Sequence, residues 1–204
     1  MPETYEEQLA QITNFDRHFD NEAAKTLLGE YYVTQKDMLL VTVLGSCVAA
    51  CCIRDTGTGV GGMNHFMLPD GGGDEASPFG ASARYGVYAM DILINHLLKL
   101  GARRSRLEAE VFGGGNVLRG LKVADVGPRN ARFVLEFLAT ENIKVAAQDL
   151  IDVYPRKVYF YPRTGRVMMK KLRSLHNTTV FEREQDYSLR LHKAKVSGEV
   201  ELFE

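Results

Sequence analysis

Apolar and polar positions alternate along this chain in blocks that change period several times. From Met38 the run MLLVTVL is continuously apolar and rich in β-branched residues, too short for most helices, and predicts a buried strand. Gly45-Ser46 interrupts it. VAACCI then reads as a second strand, RDTGTG supplies turn chemistry with two glycines, and VGGMNHFML reads as a third strand ending at Pro69: the pattern of a β-hairpin. In ARYGVYAMDILINHLLKLG the spacing becomes helical, with Val87, Met90, Ile94, Leu97 and Leu98 on one stripe and Gly101 as the stop. LEAEVFGG alternates as a half-buried strand. Pro128 opens a second helix, PRNARFVLEFLATEN, striped by Ala131, Val134, Leu135 and Leu138, and IKVAAQD follows as a strand. KVYFYPRTGRVMMKKL predicts a second hairpin around Arg163-Thr164-Gly165.

The flanks are different. Residues 1–24 are polar, with Leu9, Ile12 and Phe15 at helix-compatible positions, and read as an N-terminal extension that docks as a helix. Asp70 to Gly80, DGGGDEASPFG, is a glycine-rich loop. Residues 173–204 are polar and weakly patterned, a C-terminal tail. One domain over 25–172 lies between them. Strand-rich ends flanking two amphipathic helices make this an α+β protein, with two main helices covering mostly antiparallel sheets.

Composition changes this picture little. The 204 residues are 45% hydrophobic and 25% charged, enough to bury one sizeable core. A formal net charge of -1 gives no electrostatic footprint for nucleic acid or an anionic membrane. The first residues carry no basic region followed by an apolar run, and no stretch approaches the ~20 apolar residues of a membrane span. A cytoplasmic protein without membrane insertion is expected.

The candidate chemistry sits in LGSCVAACC, Leu44 to Cys52, which holds all three cysteines. An odd count with two adjacent suits reduced thiols rather than a disulfide framework. If the hairpin turn centres near Thr56-Gly57, facing residue numbers sum to about 113, and position 47 falls opposite 65 or 66. Position 65 is a histidine. A Cys-His pair on one face can hydrogen-bond, the imidazole lowering the thiol pKa and later protonating a leaving amine. The pKa of Cys47 is therefore expected below those of Cys51 and Cys52, which read as packing residues. Gly45 and Ser46 allow close approach, and the N–H groups around Ser46-Cys47 can hold an oxyanion. Thr42 on the preceding strand and Asn64 beside the histidine are both candidates to orient the ring. Because free cysteine is among the most buried residue types, spacing alone leaves open that both residues merely pack.

Other motifs carry less. Three cysteines within one strand, with no His-x-His or second cysteine pair, do not make a zinc site. FGGGN, Phe112 to Asn116, lacks the Lys-Ser/Thr of a phosphate loop and reads as backbone packed close to another strand or to the cleft. His18, His96, His176 and His192 are scattered and receive no role.

LGSCVAACCIRD and GGMNHFMLP together resemble the CheD family of bacterial chemoreceptor glutamine deamidases, and the likeness continues through ARYGVYAMDILINHLLKLGA, VFGGGNV and VGPRNARFVLEFL to IKVAAQD. The resemblance covers about Tyr31 to Leu172. It implies a layered α/β sandwich, a Cys47 nucleophile, a His65 base, no cofactor, and methyl-accepting chemoreceptors as substrates. The family also uses a threonine, six positions before the cysteine, where this chain has Val41. Thr42 is one residue out, and on a strand it serves only if the backbone near Gly45 is bulged differently. LIDVYPRKVYF lacks the family's Gly-Gly-x-x-x-Arg-like turn, so a differently shaped loop is expected there. Two rival readings stand beside the deamidase: an adaptor that docks a receptor or a CheC-type phosphatase without catalysis, and a receptor glutamyl methylesterase using the same thioester.

Overall fold

The computed structural model describes residues 8–68, 81–116, 126–173, 182–187 and 189. The first apolar run forms β5 (Leu39–Leu44), and the hairpin forms β6 (Val48–Asp55) and β7 (Gly61–His65). Asp55 ties off the turn. Its Oδ1 accepts the N–H groups of Gly57 and Thr58, and its Oδ2 accepts the Arg103 N–H and the Arg106 guanidinium. Burial pushes this carboxyl's pKa up, but those hydrogen bonds outweigh it and hold it far below the usual carboxylate range.

The two helices follow as α1 (Ala81–Lys99) and α2 (Val126–Thr140). Val87 is 39% exposed and does not join the buried stripe of α1, which runs through Met90, Leu93, Ile94 and Leu97. β8 (Leu107–Gly113) and β9 (Lys144–Leu150) flank α2, and the second hairpin is β10 (Arg156–Tyr161) with β11 (Arg166–Lys171), paired Tyr161 to Arg166 across Gly165 at φ 75°.

The N-terminal flank is not a docked helix. It forms β1 (Gln8–Leu9), β2 (Ile12–Asp16) and β3 (Asn21–Lys25), followed by β4 (Glu30–Thr34). Leu9, Ile12 and Phe15, whose spacing suggested a helix, are 44%, 46% and 59% exposed and build no buried stripe. Asp16 instead turns the chain, its Oδ1 accepting the N–H groups of His18 and Phe19, so that β3 returns antiparallel to β2 and pairs in parallel with β5.

These strands make two sheets. One has six strands in the order β1-β4-β7-β6-β8-β9, the other five in the order β11-β10-β5-β3-β2. Pairing is parallel at β1–β4, β3–β5 and β8–β9 and antiparallel elsewhere among the described residues. Both helices pack on the six-stranded sheet, and the five-stranded sheet stacks on its other face. The result is an α+β sandwich.

Period-two alternation along β5 sorts its side chains. Leu40 and Leu44 enter the main core between the layers with Ile53, Met63, Phe66, Val158 and Phe160, whereas Leu39 and Val41 join a smaller outer cluster with Ala23. Each large side chain buried there contributes about 1.5–3 kcal/mol. The loop before β10 departs from regular geometry, with Ile151 and Asp152 at φ 64° and 81°. The fully buried Arg156 fastens it, donating to Asp149 Oδ1 (2.6 Å) and to the carbonyls of Tyr154 and Ile151. No described helix is long and apolar enough to cross a membrane.

Candidate active site

Gly45, Ser46 and Cys47 form the bend by which the chain leaves β5 in one sheet and enters β6 in the other. Near the hairpin turn Ile53 pairs with Gly62 and Arg54 with Gly61. An irregularity between Ala50 and Cys52 then shifts the register, and at the far end Val48 pairs with Phe66 through two N–H···O bonds of 3.1 Å. One step further out Cys47 is level with Met67, not with His65. His65 is its diagonal neighbour, still within reach on one face. The hairpin thus joins the expected pair by a register different from the expected one.

His65 Nε2 lies 2.8 Å from Cys47 Sγ, and His65 Nδ1 lies 2.9 Å from Thr42 Oγ1. The Thr42 hydroxyl donates to the Thr26 carbonyl at 2.7 Å. A hydroxyl has one proton, so its interaction with the ring is as acceptor. That assigns the hydrogen to Nδ1 and leaves a lone pair on Nε2, facing the sulfur. Burial pulls the His65 pKa down to about 4, partly offset by the Thr26 carbonyl, and the imidazole is neutral at neutral pH.

Thr42 supplies the ring contact from a position where sequence alignment by spacing would have chosen Val41. The alternation of β5 explains it: Thr42 shares the inward face with Leu40 and Leu44, across the layers from β7, while Val41 faces the outer cluster. Asn64 goes the other way. It points to the helix layer, donating to the Ala89 carbonyl at 3.0 Å, and is not brought to the site.

The C-terminal tail reaches the site as well. Residues 182–187 are helical, and Glu184 is buried against the bend. Its Oε2 accepts Ser46 N–H (3.2 Å) and Ser46 Oγ–H (2.6 Å), and its Oε1 accepts Cys47 N–H (3.2 Å) and Cys47 Sγ–H (2.9 Å). Burial, then the charge and hydrogen bond of Glu184, push the Cys47 thiol well above its ordinary pKa, despite the Gly45 N–H 3.4 Å from the sulfur. The expected depression of this thiol is therefore reversed in the arrangement present, because the thiol is buried and a carboxyl group faces it. The side chains of Cys51 and Cys52 lie outside the described residues, as do the Asp70–Gly80 loop, His176 and His192.

Two further features hold the bend. Asn130 of α2, fully buried, donates to the Ser46 carbonyl (3.1 Å) and accepts Leu68 N–H (2.9 Å), clamping both ends of the site's backbone. In the glycine block, Gly114 N–H donates to the Cys47 carbonyl and Gly115 N–H to the Gly45 carbonyl. A Cβ at Gly113 would come within 2.3 Å of that Cys47 oxygen, so the block is backbone packed on the cleft, as its composition suggested. Neither Asn130 nor Glu184 stands out in the sequence: Asn130 is one polar residue beside the apolar stripe of its helix, and Glu184 belongs to no pattern. At the Cys47–His65 pair lies a cavity of about 380 Å³, whose lining includes Thr26, Leu27, Leu28, Arg183, Glu184 and Tyr187.

Comparison with known proteins places the chain in a family. A family model described as CheD chemotactic sensory transduction matches residues 67–171. Full-length relatives extend the match across the site. The probable chemoreceptor glutamine deamidase CheD of Thiobacillus denitrificans is 65% identical over 203 residues, covering 100% of both chains, and that of Janthinobacterium sp. (strain Marseille) is 65% identical with the same coverage. The corresponding protein of Herminiimonas arsenicoxydans is 61% identical over 203 residues, again covering 100% of both. With a family match over half its length and end-to-end relatives at this identity, the chain belongs to the CheD family.

Proposed function

We propose that this chain is a protein-glutamine deamidase acting on chemoreceptors, with Cys47 as nucleophile, His65 as base and acid, and Thr42 orienting the imidazole. The observation that carries the reading is the bare Nε2 2.8 Å from the Cys47 sulfur, its tautomer set by Thr42 and Thr26. The relatives' printed name, chemoreceptor glutamine deamidase, supports the substrate class.

Nε2 takes the thiol proton as Sγ attacks the side-chain amide carbon. The N–H groups of Ser46 and Cys47 hold the oxygen of the tetrahedral intermediate. The imidazolium returns its proton to the leaving nitrogen, ammonia departs, and the C–N bond is replaced by a thioester. Water, deprotonated by Nε2, then cleaves the thioester to glutamate and restores the thiol. The proposal also places the protein in the cytoplasm, as its sequence pattern led us to expect, and adds a CheC-type phosphatase as a candidate partner.

The test is incubation with a chemoreceptor signalling domain, reading glutamine-to-glutamate conversion by peptide mass spectrometry. Cys47→Ala abolishes conversion and His65→Ala lowers its rate by about 10³-fold or more. Conversion that survives Cys47→Ala sinks the mechanism, and a receptor methyl ester run in parallel separates amide from ester chemistry.

A further inference from the structure

In the mechanism above, the N–H groups of Ser46 and Cys47 bind the substrate oxygen. In the structure they are already occupied, by the two oxygens of Glu184. The same carboxyl group accepts the Cys47 thiol proton, in competition with His65 Nε2. A glutamate side chain is also what deamidation of glutamine leaves behind. The tail therefore places the reaction's product group on the groups that carry out the reaction.

The slot is shaped for this occupant at two places. A Cβ on Gly45 would lie 2.5 Å from Glu184 Oε1, so the absence of a side chain there makes room for the carboxyl. Three residues on, and so on the same helical face, Tyr187 is 8% exposed and its hydroxyl lies 2.6 Å from that of Tyr85 on α1. Its ring lies over Gly29, where a Cβ would come within 2.8 Å of Cε2. Gly29 sits at φ 83° and donates its N–H to the His65 carbonyl at 2.7 Å. Two side chains, one polar and one aromatic, thus enter two gaps beside the Cys-His pair.

We infer that residues 182–187 are a built-in product analogue: Glu184 occupies the position of a product glutamate side chain, Tyr187 anchors it, and the segment must leave before a substrate glutamine enters. The inference rests on the reading of Cys47 as nucleophile. Its consequence is an enzyme held closed by its own tail, with any partner that draws residues 182–187 away acting as an activator.

The experiment uses the full chain. The rate at which iodoacetamide alkylates Cys47 at pH 7 is measured by peptide mass spectrometry in the wild type, Glu184→Ala and Tyr187→Ala. Both variants alkylate faster, by about tenfold or more, since the thiol gains access and loses the carboxyl group facing it. A rate in Glu184→Ala and Tyr187→Ala no higher than in wild type overturns the proposal. This readout needs no receptor, so failure of occlusion is told apart from failure of the receptor reaction.

Glu184→Gln gives a second measurement, because it seats a substrate amide where the product carboxyl lay. Cys47 Sγ bonds to the introduced amide carbon, ammonia leaves with the proton from His65, and water cleaves the thioester, regenerating glutamate with a mass gain of about 1 Da. The same change in a Cys47→Ala chain stays an amide. An amide that persists while Cys47 is intact overturns the product-analogue assignment.

Discussion

The site has two walls of different construction. One is the body of the sandwich: Thr42 comes from the five-stranded sheet, His65 from the six-stranded sheet, and Cys47 from the bend joining them, all buried and joined by hydrogen bonds. The other is the short helix of 182–187, which meets that wall through Glu184 and Tyr187. The first wall's geometry follows from the packing of two sheets and a helix layer, so it changes only when the core changes. The second is held by a few side-chain contacts and can be exchanged without disturbing a sheet. On the proposed roles, catalytic geometry and control of access are separated within one chain.

The largest effect that distinguishes the walls is on pH dependence. His65 has an ordinary pKa of 6.5, lowered in the fold to about 4. Between these values the unfolded chain binds the proton and the folded chain does not, so stability rises with pH across about 4 to 6.5 and is lost as pH falls through that window. The full span is worth about 3 kcal/mol. Urea unfolding at pH 4.5 and pH 7 reads it, and His65→Gln flattens the slope. If the sandwich alone keeps His65 dry, Glu184→Ala retains the slope, whereas a reduced slope assigns part of the desolvation to the tail.

Next in size is Thr42→Val, which keeps the volume and removes the acceptor for Nδ1–H. With the tautomer and ring orientation released, kcat for deamidation falls by about 10- to 100-fold. Thr42→Ser restores the hydroxyl and most of the rate, a rescue that a mere packing role for Thr42 does not produce. Because Thr42 lies in the first wall, its variants leave the ranking of Cys47 alkylation between wild type and Glu184→Ala unchanged.

The smallest effect belongs to Asn130→Ala. The Ser46 carbonyl and Leu68 N–H lose a buried partner, and stability falls by about 1–2 kcal/mol in denaturant titration. Deamidation declines with it, as the bend carrying Ser46 and Cys47 is less firmly placed. Unchanged stability and activity in this variant would show that the glycine block alone holds the bend.

The local signals in the chain were sufficient for most of the sandwich. MLLVTVL, the Asp-Thr-Gly and Arg-Thr-Gly turns, and the two helical stripes specify strands, hairpins and helices, because period and turn chemistry act over a few residues. They also brought Cys47 and His65 together, since a hairpin makes neighbours of residues close in sequence. The N-terminal flank failed by the same logic: Leu9, Ile12 and Phe15 have a helical spacing, but strands β1–β3 gain their stability from pairing with distant β4 and β5.

What the sequence by itself determined about this protein was the element types beyond its N-terminal flank, its α+β class, its Cys-His pair and its family resemblance. Only the tertiary structure decided the rest of the site. Thr42 rather than Val41 meets the imidazole because one sheet stacks on the other with the alternate face of β5 inward, and Asn64 is lost to the helix layer for the same reason. Glu184 reaches Cys47 from 137 residues away through contacts that leave no periodic trace in the tail. Such pairings are made by packing between separate layers and segments, and no local pattern of apolar and polar residues encodes them.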